Sequence, residues 1–237
     1  MPYRRLPNTD NARIKSLRTI LEKKRKFQDS NKISMDVMAA DRMLRTFESA
    51  QTMYKDSLAK QATENRKFQK YVKNAKLYIS HFIQVLNLCI IRGEMKKDIK
   101  SLYKLDPENY SVPDLSSNEA LLLWGKNVVE GDQERQRKGG IPIYNPTIAR
   151  VNVAYSQFKD AHFVQKTHQK QTSRLLDELS AQRGDMDTLI CDLWNQVEAM
   201  FADFPQDERI EKCKEFGLIY YLRKNEKEEA FHNDEDN

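Results

Sequence analysis

Glycine and proline are scarce in this chain, seven of each among 237 residues, so few points exist where the backbone must turn sharply. Beside abundant Lys, Glu, Gln, Leu and Ala, that scarcity is the composition of long helices. Long apolar runs are also missing. The best candidates, Leu77 to Ile91 and Leu218 to Leu222, are interrupted or short, whereas a membrane-spanning helix needs about 18–20 apolar residues. The opening Met-Pro-Tyr-Arg-Arg-Leu-Pro-Asn lacks the apolar stretch of a secretory signal. Cysteine is limited to Cys89, Cys191 and Cys213, an odd and widely spaced set that reads as free thiols in a reducing compartment. A cytoplasmic location without membrane insertion is the expectation.

Motifs of known chemistry are absent as well. Neither G-x-x-x-x-G-K-[ST] nor G-x-G-x-x-G occurs, nor H-E-x-x-H, nor C-x-x-C. Gly139-Gly140 has no strand before it and no suitable helix after it. A di-iron bundle needs two Glu-x-x-His motifs, and the single instance, Glu229 with His232, lies in an acidic tail. His162 and His168 fall on different faces of one helix, His81 is a loose eight residues from Cys89, and Asp185 with Asp187 reads as a helix cap. No cofactor and no metal site is expected, and the reading leans away from an enzyme.

What is present is charge, unevenly placed. Residues 1–105 carry 24 Lys+Arg against 10 Asp+Glu, and residues 106–237 carry 16 against 25, so a net of +14 faces a net of −9. A basic half can attract nucleic acid. Lys70, Lys73 and Lys76, close to Phe68 and Tyr71, are the candidate contacts. The plainer reading is mutual neutralisation of the two halves on docking, in which case reversing those lysines lowers stability.

Helical spacing is equally clear. Thr9 or Asn8 caps a first helix through Ile14, Leu17, Leu21 and Phe27, ended by Asp29-Ser30-Asn31. From Ile33 to Arg92 there is neither Gly nor Pro, and a 3-4 seam runs from Val37 through Leu44, Phe47, Phe68, Ile79 and Leu86 to Cys89. A bend near Lys73-Asn74 is expected, with Gly93 closing the segment and a short helix over Met95 to Leu105. Ser116 or Ser117 caps a helix reaching Val128, and Glu130 to Gly140 reads as charged and mobile. Asn145 with Pro146 starts a helix to about Arg183. Gly184-Asp185 breaks it and starts another, through Phe201, followed by a short helix from Asp207 to Phe216. Extended pieces are expected at Asn109–Val112, Ile141–Tyr144 and Leu218–Leu222.

A shift of 111 residues brings two seams into register: Val37, Ala40, Leu44 and Phe47 fall on Ile148, Val151, Tyr155 and Phe158, and Ile79, Phe82 and Leu86 on Ile190, Leu193 and Val197. The fold class is therefore all-α, an elongated antiparallel helical bundle that an internally duplicated long-helix, helix, short-helix unit would explain, with at most a minor two-stranded sheet. Under that duplication Asn109–Val112 and Leu218 to Arg223 are equivalent and pair with each other. The segments are 1–105 (basic half, first repeat), 106–146 (connector with one helix), 147–222 (acidic half, second repeat) and 223–237 (disordered acidic tail), together forming one compact domain.

Polar residues interrupt the seam: Gln51, Gln61 and Asn65, then His162, Gln165 and Gln169. Protrusion of the long helices into water is the first reading of this layer. Fixing of register across the repeats is the second, and a hydrated ligand cavity with His162 as its titratable group is the third.

Four patches carry a resemblance: Pro2 to Arg13, Gly139 to Pro146, Leu189 to Glu198 and Cys213 to Tyr221. Each resembles an uncharacterised family of all-helical proteins from Bacteroidetes. The resemblance implies a bacterial cytoplasmic helical protein and brings no activity with it. The leading functional reading is an interaction or scaffold protein with a protein partner or a second copy. A nucleic-acid-binding protein is the alternative, and a ligand- or metal-binding bundle a weaker one.

Overall fold

The computed structural model describes residues 3–26 and 37–221. Phe27, the Asp29-Ser30-Asn31 stop, the Glu229/His232 pair and the tail from residue 223 lie outside them. The order is β1 (Tyr3–Arg4), α1 (Asp10–Lys26), α2 (Val37–Ile91), a 3-10 helix (Lys97–Tyr103), α3 (Asn118–Arg137), α4 (Ile148–Met200), α5 (Gln206–Glu215) and β2 (Tyr220–Tyr221). The fold is all-α, with one two-stranded antiparallel sheet among the described residues.

Local signals set most ends. Thr9 Oγ1 accepts the free Ala12 N–H at the start of α1, and Ser117 caps α3 through Ala120 N. Gly93 takes φ +76°, which a side chain would resist, and its turn returns Glu94 N to Cys89 O to end α2. The Met95–Leu105 piece is a 3-10 helix rather than an α-helix, closed by Lys104 in the left-handed region at φ 56°.

Four expectations are corrected. α2 runs 55 residues without a turn or break at Lys73-Asn74, because Ala75 and Ile79 beside that point are fully buried and hold the seam in phase. α4 runs 53 residues straight through Gly184-Asp185. A helical glycine costs about 1 kcal/mol, less than the burial of flanking Leu179 and Met186 returns at ~1.5–3 kcal/mol each. α3 continues over Glu130 to Arg137 as ordered helix. α4 begins at Ile148, and Thr147 Oγ1, not Asn145, accepts the Arg150 N–H; the Asn145–Pro146 peptide is cis. The sheet also differs from expectation. Tyr220–Tyr221 pairs with Tyr3–Arg4, while Asn109–Val112 forms no strand.

The contacts gather the chain into two units that interleave along the sequence. Unit 1 holds the described residues up to Asp56 and from Ser173 onward; unit 2 holds Ser57–Thr172. Unit 1 buries Leu17, Ile20 and Leu21 of α1 with Phe47 of α2, Ile190, Trp194 and Val197 of α4, and Cys213 and Phe216. Ion pairs across it join basic and acidic stretches: Arg13 to Asp187 at 2.7 Å, Arg183 to Asp10 at 2.9 Å, Lys23 to Glu215 at 2.7 Å and Arg4 to Glu198 at 3.1 Å. Unit 2 buries Phe68, Ile79, Phe82 and Leu86 of α2 with Tyr103, Leu121 and Val128, and Val151 and Phe158 of α4. There α2 and α4 run antiparallel, with Ser57 opposite Thr172 and Phe68 stacked on Phe158.

A shift of 111 residues lays α1, Asp10–Lys26, onto part of α3. Buried Ile14, Ser16, Leu17, Ile20 and Leu21 of α1 correspond at that shift to Gly125, Asn127, Val128, Gly131 and Asp132 of α3, all buried.

Candidate functional site

The strongest polar assembly lies in unit 2 and is buried. The phenol of Tyr103 donates to Asp132 Oδ1 at 2.8 Å and accepts from Arg135 Nε at 2.8 Å. Arg135 Nη2 donates to the same carboxylate oxygen at 2.6 Å, and Gln136 Nε2 donates to Oδ2 at 2.6 Å. Arg135 Nη1 reaches out to the carbonyl of Ile141 at 2.6 Å. Burial, aided by the Asp132 charge, drives the Tyr103 phenol far above its ordinary value. For Arg135 burial pulls downward, but the bonds and charge of Asp132 and Tyr103 prevail and raise it. These bonds tie the 3-10 helix, α3 and the 139–145 loop together.

Sequence reading missed this cluster, although a signal existed. Leu121, Gly125, Val128, Asp132 and Arg135 follow 4-3-4-3 spacing, which puts an acid and a base on the buried seam of α3 three residues apart. Lys100 is a second buried charge. Its Nζ donates to the Asn109 carbonyl at 2.6 Å and lies 4.1 Å from the Tyr110 ring centroid, and burial lowers its pKa.

Beside the cluster opens a cleft of about 730 Å³. Its walls are the last turns of α2 (Val85, Cys89, Arg92), the turn Glu94 to Lys96, Ile99, and the loop Gly139 to Asn145. The loop is firmly placed. Gly139 turns at φ +82°, Gly140 N donates to Arg135 O at 3.0 Å, and a Cβ on Gly140 would meet Arg135 Cγ at 2.9 Å.

A different opening runs along α2 and α4 within unit 2. Glu64, Phe68 and Tyr71 on one side face Gln157, Ala161 and Val164 on the other, and the groove resumes past Gln157 between Asn74, Tyr78 and Val153. Unit 1 has a counterpart between Thr46, Ala50, Met53 and Leu175, Glu178, Gln182. At the 111-residue shift these are Gln157, Ala161, Val164 and Glu64, Lys67, Tyr71, each a lining residue of the first groove. Met53 and Val164 are both exposed.

The polar seam residues do not act as one site. Gln51 is buried in unit 1, where it donates to Asn11 Oδ1 at 2.9 Å and accepts from Lys55 at 2.8 Å. In unit 2, Gln165 is buried and donates to Asn65 Oδ1 at 3.4 Å, Gln61 and His162 are half-buried, and Asn65 and Gln169 are exposed. Protrusion therefore fails as an account of Gln51 and Gln165, which pack inward. His162 packs at a tilt against Phe68 and Phe158, with ring centroids 6.0 and 5.9 Å away. Lys70, Lys73 and Lys76 are exposed on α2 and make no ion pair among the described residues. The ion pairs of unit 2, such as Lys67 with Glu64 and Lys97 with Glu108, all join residues near in sequence.

Among the described residues no three His, Cys, Asp or Glu side chains gather as a metal-binding group, and no helix is long and apolar enough to cross a membrane. No protein-family model matches the chain, and no curated protein or solved structure matches it either.

Proposed function

We propose that the chain is a helical interaction scaffold that receives amphipathic helices of a protein partner, or of a second copy, in the grooves beside α2 and α4. The observation that carries this is the recurrence of the open groove in each unit, with corresponding linings and an exposed apolar residue, Val164 or Met53, at the same place. An apolar floor between two parallel-sided helices is the geometry into which a third helix lays its apolar face. The same spacing supports reading α1, α2 and the 3-10 helix, and again α3, α4 and α5, as two copies of one ancestral unit. The three free thiols support a reducing, cytoplasmic setting.

Photo-crosslinking side chains placed separately at Val164 and at Met53 in cells test the reading, with exposed Lys126 as the control position. One protein species captured from both grooves and not from the control supports it. Absence of any capture at both positions overturns it. The second reading, nucleic-acid binding, is favoured by one observation: residues 57–172 carry 19 Lys+Arg against 11 Asp+Glu. Retention on immobilised RNA or DNA that falls steeply with salt tests it.

A further inference from the structure

We propose that the cleft at the end of α2 binds a small amphipathic anion, an apolar body bearing one carboxylate or sulfonate. This site is separate from the grooves and stands whether or not they receive a partner.

The size fits. Pockets for small organic molecules span about 300–1,000 Å³ and are mostly apolar with a few placed polar groups, and this cleft is about 730 Å³. The apolar body would lie against Val85, Met95, Ile99 and Ile143. At its lip, Ile141 is 72% exposed and Tyr144 76% exposed, so two large apolar side chains meet water where an apolar ligand would cover them.

The charge fits as well. Four charged residues line the cleft: Arg92, Lys96, Arg135 and Glu94. Arg135 is neutralised by Asp132, and Glu94 by Arg92 at 2.8 Å. Lys96 makes no ion pair among the described residues and is exposed at the rim. One unmatched cation beside an apolar cleft selects an anionic head over a neutral or cationic one.

The wall is preorganised. Arg135 Nη1 on the Ile141 carbonyl and Gly140 packed against the Arg135 side chain hold the loop in place, which lowers the ordering cost of binding. Gly139-Gly140, without the surroundings of a phosphate loop, thus has a use as the close-packed hinge of a ligand wall.

The test uses the full chain with dodecanoate as the probe, dodecanol as its uncharged twin, and methyl-13C methionine as the reporter. We expect saturable binding of one dodecanoate per chain by calorimetry, a shift of the Met95 methyl signal (assigned with Met95→Leu), and weaker binding of dodecanol. Lys96→Glu should weaken dodecanoate by about tenfold or more, equivalent to ~1.4 kcal/mol, and Ile141→Ser should weaken both probes. Both replaced side chains are exposed, so the melting temperature should not move. Non-saturating binding, equal affinity for the two probes with no effect of Lys96→Glu, or shifts confined to other methionines would overturn the proposal.

Discussion

Tyr103 Oη and Asp132 Oδ1 sit 2.8 Å apart in a site with no access to water, with Arg135 bonded to both. This contact gives stability a defined dependence on alkaline pH. The phenol is raised in the folded state, so its contribution is complete below the ordinary tyrosine value of about 10 and is lost as pH climbs from there toward the folded value. Tyr103→Phe should therefore cost about 1–3 kcal/mol at neutral pH, where it strips a donor from buried Asp132. The gap from wild type should narrow above about pH 10. Denaturant unfolding of both proteins from pH 7 to 11 measures it, and a gap that stays constant or widens would refute the linkage.

Two glycines in helices should respond with opposite signs to alanine. At Gly131 a Cβ would meet Tyr103 Cδ1 at 2.7 Å and the Leu102 carbonyl at 2.8 Å. Overpacking of that kind costs about 1–3 kcal/mol and outweighs the ~1 kcal/mol that alanine gains in helix propensity. Gly184 has nothing within 4 Å, so Gly184→Ala keeps that gain and should stabilise by about 0.5–1 kcal/mol. Melting temperatures of the two variants should move apart, down for Gly131→Ala and up for Gly184→Ala.

The segregated charges of the sequence predict that reversing Lys70, Lys73 and Lys76 to Glu lowers stability, since acidic partners from the other half would face them. The structure gives these lysines no ion pair among the described residues, in a unit with excess positive charge, and only Lys76 acts on an acidic side chain, the exposed Asp114. We now expect the triple reversal to leave stability within about 0.5 kcal/mol of wild type, or to raise it. Thermal unfolding at low and high salt checks this, and a loss that disappears at high salt would point to a missed attractive partner.

Helix existence and the buried face were legible because both follow from periodicity. The seam positions Val151, Phe158, Ile190 and Val197 are all fully buried, and Thr9 and Ser117 cap as their side-chain oxygens suggest. Breaks were over-read. Asn74 and Gly184 weaken a helix locally, but packing on either side decides whether it continues, and packing is not visible in a run of letters. The charged stretch Glu130 to Arg137 was misread for the converse reason. Asp132 and Arg135 look like solvated charges until Tyr103 and the Ile141 carbonyl arrive from other segments. The cleft was illegible for the same reason, since its walls come from two stretches of chain far apart in sequence, 85–99 and 135–145.

The interleaving of the units sets an order for synthesis on the ribosome. Ser57–Thr172 is one continuous stretch, so unit 2 has all its parts once Thr172 has emerged. Unit 1 needs Trp194, Cys213 and Phe216 to cover Leu17 and Ile20, and Tyr221 to pair with Tyr3. The apolar face of α1 must therefore wait for Trp194, Cys213 and Phe216, which are made long after it. During that interval the nascent chain carries the uncovered apolar face of α1, the kind of exposed surface that makes incomplete chains prone to aggregate.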